Sequence, residues 1–217
     1  MNNLEKTYDI LTRNNRGAVI VFNGLPLDKS YVNPVTVPSL PNGKIIIPRN
    51  IYKVLDDFRR INVQCGKEVS YYLVGYDRRR EGKPNEVVIS TIIYSNSESA
   101  TGSNEMCYFG TGMTNRLNQE IAALVGDPSV IVFQGHTHPN TAYSDNFSLL
   151  DLANVRESSS QGNFQYGGFL VYNGGVRAVF YDGGTDKFYR FESFETIQNQ
   201  GLIIDADVGR TMSWPRE

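Results

Sequence analysis

Two cysteines, Cys65 and Cys107, are too few to build a disulfide framework in 217 residues. Stability must then come from a packed core, and a reducing cytoplasm is the expected setting. No sign of charge is in excess either: 21 Lys and Arg against 23 Asp and Glu leave a formal net charge of -2. That balance gives neither the basic footprint of a nucleic-acid binder nor an attraction to an acidic membrane. Long hydrophobic runs are missing as well. Nothing approaches the roughly 20 apolar residues of a membrane span, and residues 1–6 carry no apolar leader core, so no targeting segment is expected. Hydrophobic content of 40% and charged content of 20% are ordinary for a globular protein, and this length can bury a substantial core as one domain with extensions.

Histidine is nearly absent too, and its placement is the informative feature. The two histidines are His136 and His138, in Gly135-His136-Thr137-His138-Pro139. They end an apolar run, Val130-Ile131-Val132-Phe133, that reads as a buried strand bounded by Pro128 and Pro139. Side chains alternate along a strand, so both imidazoles point the same way. Phe147-Ser148-Leu149-Leu150-Asp151 follows. Two imidazoles and the Asp151 carboxylate are a three-ligand zinc set with a fourth place left for water, a catalytic rather than a structural arrangement. Ser148 and Asp151 also fit a capping box, with Leu149, Leu150, Leu152, Ala153 and Val155 as the apolar stripe of a helix ending near Gly162. The two readings are compatible: a capped first turn holds Asp151 rigidly, and the helix N-terminus favours its ionised form.

Upstream, Lys67-Glu68-Val69-Ser70-Tyr71-Tyr72-Leu73-Val74-Gly75 reads as a strand rich in aromatic and β-branched residues. A zinc hydrolase needs a carboxylate that is not a ligand, to move a proton from water to the leaving amine. Glu68 stands where such a group would be; its plain alternative is a solvated glutamate at a strand edge.

Glu68 with the following Tyr-Leu-Val-Gly, then His-x-His-Pro, then Ser-x-x-Asp, resembles the signature of the JAMM (MPN+, or JAB) zinc metalloproteases, in a prokaryotic-type member. The resemblance covers roughly residues 44–192. It implies zinc on His136, His138 and Asp151, Glu68 as general base and acid, and Ser148 as stabiliser of the oxyanion. It also implies a JAMM/cytidine-deaminase-like core with the zinc at the edge of the sheet. The segment from Pro139 to Ser148 is about two residues longer than in the eukaryotic deubiquitinases of that family, and lacks their tryptophan and cysteine. Asn140, Thr141, Ser144, Asp145 and Asn146 make it polar and turn-prone. Asp145 competes as a ligand; Asp151 is preferred because Ser148 has a carboxylate three residues on, whereas Ser144 has Phe147.

Residues 1–43 read as an N-terminal extension holding a strand at Ala18-Val19-Ile20-Val21-Phe22 and an irregular stretch with Pro26, Pro34, Pro38 and Pro41. The core, residues 44–192, opens with a strand at Lys44-Ile45-Ile46-Ile47. A helix follows, carrying Ile51, Val54, Leu55 and Phe58 to about Ile61. After the Glu68 strand, a charged turn over 77–85 with Arg78, Arg79 and Arg80 leads into a strand over 86–94. A long polar loop, 95–112, and a helix over 114–125 precede the histidine strand. Strands over 166–172 and 176–181 form a hairpin across Asn173-Gly174-Gly175, and 187–191 pairs beyond it. The tail, 193–217, has one apolar piece, Leu202-Ile203-Ile204, and ends in Trp214-Pro215-Arg216-Glu217. Strands alternating with helices and then a run of strands give an α+β fold, an α/β sandwich with a curved mixed β-sheet flanked by helices.

The expected activity is zinc-dependent cleavage of a peptide or isopeptide bond in a protein or peptide substrate, ubiquitin-like conjugates among the options. Two other classes stand beside it: a non-catalytic MPN-type binding or scaffold module, and a cysteine hydrolase using Cys107 or Cys65 with a histidine. Neither nucleic acid nor membrane is expected as a partner, and the oligomeric state is open.

Overall fold

Apolar residues at 51, 55 and 58 repeat at helical spacing, and Ile51, Leu55 and Phe58 are buried along α1 (Arg49–Cys65). The structure, a computed structural model, describes residues 19–23, 44–65, 68–78, 86–95, 111–123, 130–139, 145–161, 165–183, 186–193 and 202–213. The strands among them are β1 (Val19–Asn23), β2 (Lys44–Ile47), β3 (Ser70–Arg78), β4 (Glu86–Ser95), β5 (Val130–Thr137), β6 (Gln165–Tyr172), β7 (Gly175–Asp182), β8 (Lys187–Ser193) and β9 (Leu202–Ser213). Two more helices are α2 (Thr111–Ala123) and α3 (Leu149–Gln161). No helix among the described residues is long and apolar enough to cross a membrane.

All nine strands join one mixed sheet in the order β1-β4-β2-β9-β8-β7-β6-β5-β3. The β2–β4 and β5–β6 pairs are parallel and the rest antiparallel. Because β3, at one end of the series, also pairs with β4, second from the other end, the sheet curls round and closes on β4. Its α1 face buries Ile45, Tyr71, Leu73, Phe133, Phe169 and Phe180 against Ile51, Leu55 and Phe58. The other face carries two smaller clusters. Tyr72, Val74 and Val132 pack on Met113 and Leu117 of α2, and Val179 and Phe188 pack on Leu152 and Val155 of α3. The fold is α+β, with helices on both faces of a curved mixed sheet, as expected.

Several boundaries differ from the sequence reading. β1 belongs to the expected extension and β9 to the expected tail, yet both lie in the sheet: β1 pairs with β4, and β9 is hydrogen-bonded between β2 and β8. Asp77 and Arg78, expected in a turn, remain in β3 opposite Val87 and Glu86; the backbone ladder continues whatever the side-chain polarity. α2 takes in Thr111 and Gly112, expected as loop. Leu149 and Leu150, expected in the buried stripe of their helix, are 65% and 57% exposed. The first turn of α3 reaches past its buried contacts, so the stripe starts at Leu152. Pro26 to Pro41, Arg79, Arg80, Cys107 and residues 214–217 lie outside the described residues.

Candidate metal centre

The two histidines stand at the C-terminal end of β5, a strand paired on both sides, with β3 and with β6. The site is therefore at the rim of the sheet without lying on an edge strand. Alternation gives the histidines the α3 face, where Gln134 Nε2, two residues before His136, donates to Ser158 Oγ of α3 at 2.9 Å. Thr137 turns the other way and is fully buried. Phe147 meets the His136 ring edge-on at 6.4 Å. It settles there because Gly168 on β6 has no side chain: a Cβ at that position would stand 3.1 Å from the Phe147 ring and 3.0 Å from Val155.

Asp151 is delivered by the expected capping box. Its N–H donates to Ser148 Oγ at 3.2 Å, and its Oδ2 accepts from the Ser148 N–H and hydroxyl, each at 2.7 Å. Ser148 is the N-cap and Asp151 the third helical residue, which satisfies otherwise unpaired donors of the first turn. Within this frame His136 Nε2 lies 2.8 Å from His138 Nε2 and 3.5 Å from Asp151 Oδ1, and His138 Nε2 lies 3.8 Å from Asp151 Oδ2. Burial raises the Asp151 pKa, but the hydrogen bond and charge of His136, with the bonds from Ser148, outweigh it and hold the carboxyl at about 2. Asp151 is thus an anion throughout the neutral range.

The three residues form a group that could hold a metal ion. Tetrahedral bonds of about 2.0–2.1 Å require ligand atoms roughly 3.3 Å apart; the two ring nitrogens stand 2.8 Å apart, and one Asp151 oxygen lies 3.5 Å from His136 while the other lies 3.8 Å from His138. Side-chain exposures of 13%, 14% and 21% for His136, His138 and Asp151 leave all three partly accessible to solvent.

Glu68 is buried, 7% exposed, two residues before β3. The register pairs Ser70 with His136, and Val69, one residue after Glu68, is buried in the cluster packed on α1. Glu68 is outside the group of mutually close ligand atoms. Asp145, the competing ligand, is engaged elsewhere. Its Oδ2 lies 3.2 Å from Arg177 Nη2, and Arg177 Nη1 donates to the Asp145 carbonyl and, at 2.6 Å, to Asn146 Oδ1. Arg177 is buried on β7, so it clasps the turn that leads into Ser148. Cys65 closes α1, and Cys107 lies outside the described residues.

Three supporting residues escaped the sequence reading although each left a signal. Arg177 interrupts the apolar Val176–Phe180 run of β7. Asn62 continues the 51, 55, 58 stripe of α1 with an amide. Thr137 sits between the histidines, facing away from them.

No family model matches the chain, and no curated protein matches it. Among solved structures, the STIL N-terminal domain of Trichoplax adhaerens is similar with a TM-score of 0.34 and 7% identity, over 70% of this chain and 43% of that one. The chain therefore spans less than half of that structure, and a likeness at this level bears on neither fold nor function.

Proposed function

We propose that the protein is a zinc-dependent hydrolase of amide bonds, acting on a peptide or isopeptide bond of a protein substrate. The observation that supports this most is the meeting of His136, His138 and Asp151 at the C-terminal end of β5, with Glu68, a buried carboxylate outside that group, on the segment leading into the neighbouring β3. The ordered resemblance to JAMM metalloproteases points to the same chemistry. Two imidazoles and one carboxylate suit zinc, and three protein ligands with an open side suit catalysis. When bound, the ion supplies Lewis-acid activation of water and of the substrate carbonyl. Glu68 takes a proton from the attacking water and passes it to the departing amine. The Ser148 hydroxyl exchanges its present bond to Asp151 Oδ2 for one to the carbonyl oxygen as charge develops there. The products are a carboxylate and an amine.

The test is zinc content together with turnover on a panel of peptides and ubiquitin-like isopeptide conjugates. Wild type should carry about one zinc per chain and lose turnover on chelation, as a three-ligand catalytic site does. Glu68→Gln should keep the zinc and lose turnover, and His138→Ala should lose both. Full activity in Glu68→Gln, or activity indifferent to chelation, would overturn the proposal.

A further inference from the structure

At the two histidines β5 parts from β3. Up to Ser70 and His136 the strands are in antiparallel register. At the next pair the Thr137 N–H still donates to the Val69 carbonyl, at 3.1 Å. In an unbroken ladder the return bond would run from the Val69 N–H to the Thr137 carbonyl. Instead the Val69 N–H donates to the Thr137 side-chain Oγ1, at 3.0 Å. The same oxygen accepts from Asn62 Nδ2 of α1, at 3.1 Å. One residue further, the His138 N–H donates to the Val171 carbonyl of β6, at 3.0 Å. A hydroxyl thus does the work of a carbonyl at the point where β5 leaves β3 and follows β6. Thr137 is 0% exposed and Asn62 1%, so water does not compete for these bonds.

Resting on the metal-centre reading above, we propose that Thr137 and Asn62 are positioning residues for the metal and for Glu68. Neither offers an atom to the ion; both act through the backbone. Thr137 lies between the two ligands, so fixing it fixes the direction in which both imidazoles leave the chain. Val69 lies next to Glu68, so the hydrogen bond from its N–H sets how far the Glu68 segment stands from the ligands. Asn62 ties both to α1, packed on the opposite face, and braces the centre from behind. Outer partners of this kind, which hold ligands in place, typically carry about ten- to a hundredfold in metal affinity.

The experiment uses the full chain and zinc, with affinity read by competition against a chromophoric chelator. Thr137→Val keeps the shape and deletes the acceptor, and should bind zinc about ten- to a hundredfold more weakly. Thr137→Ser keeps the hydroxyl and should bind like wild type. Asn62→Ala should fall between, and gives the answer if Thr137→Val does not fold. Val130→Ala, at the far end of the same strand, is the stability control: it should melt lower yet keep wild-type affinity. The visible spectrum of the cobalt-loaded protein should change in Thr137→Val and not in Val130→Ala. Wild-type affinity in both Thr137→Val and Asn62→Ala, or equal weakening in Val130→Ala, overturns the proposal. A wild-type protein that takes up no zinc overturns the metal reading first, and this inference with it.

Discussion

Substituting Gly135 by alanine tests whether the scaffold behind the histidines is as tightly specified as its contacts imply. A Cβ at that position would lie 2.0 Å from Tyr71 Cε2 and 2.5 Å from Cδ2 and Cζ. The ring would have to retreat by more than 1 Å to restore ordinary contact. It has nowhere to go: Tyr71 is fully buried, with Phe58 at 5.7 Å and Phe169 at 6.4 Å between ring centres. Overpacking of this kind costs about 1–3 kcal/mol. The Tyr71 hydroxyl also has the carbonyls of His136 and Phe169 within reach of its single proton, at 3.5 and 3.4 Å. A bond that long sits at the low end, about 0.5 kcal/mol for the shared proton. The total, about 1.5–3.5 kcal/mol, corresponds to a melting point roughly 3–14 °C lower for a domain of this size. Urea and thermal unfolding followed by circular dichroism would measure it. Adding Tyr71→Leu should make room for the new methyl, so the double variant should be less destabilised than the sum of the two single changes. A Gly135→Ala protein melting within about a degree of wild type, or strict additivity in the pair, would refute the argument.

Ser148→Ala removes both partners that its hydroxyl provides in the first turn of α3. It should cost about 1 kcal/mol, whereas Ser148→Thr, which keeps the cap, should melt close to wild type; equal losses in the two variants would remove the capping account. Asp151 carries a pH signature. Its carboxyl is held down to about 2 from an ordinary 3.8, so the ionised form stabilises the fold above about pH 4, and that contribution is lost as pH falls through about 2. In chelator, Asp151→Asn should therefore be less stable than wild type by about 2 kcal/mol at pH 4–5, and the gap should close toward pH 2. A gap that does not change across that range would mean that the charge of Asp151 is not what stabilises it.

What could be read in advance divides by distance along the chain. The His136, His138 and Asp151 group is legible because its signals are local. Alternation fixes the common face of His136 and His138, and Ser148 with Asp151 makes a first-turn box out of four consecutive residues. The place of Glu68 is legible only as a candidate, since it depends on the pairing of β3 with β5, far apart along the chain. Long-range pairing also decides that β1 and β9 enter the sheet, and nothing in Val19–Asn23 or Leu202–Ser213 names β4, β2 or β8 as a neighbour. Leu149 and Leu150 show the opposite failure. Their periodicity was clear, but the extent of the packing surface beneath them, which decides burial, is not written in the helix.

The place of β9 also sets an order of events during synthesis. Until the ribosome has released residues 202–213, β2 and β8 each have a side with no neighbour, and unpaired strand sides invite other chains. A nascent or prematurely terminated polypeptide stopping near position 200 would hold His136, His138, Asp151 and Glu68, yet present two sticky seams. Cover for those two seams is therefore made well after the residues of the candidate metal centre.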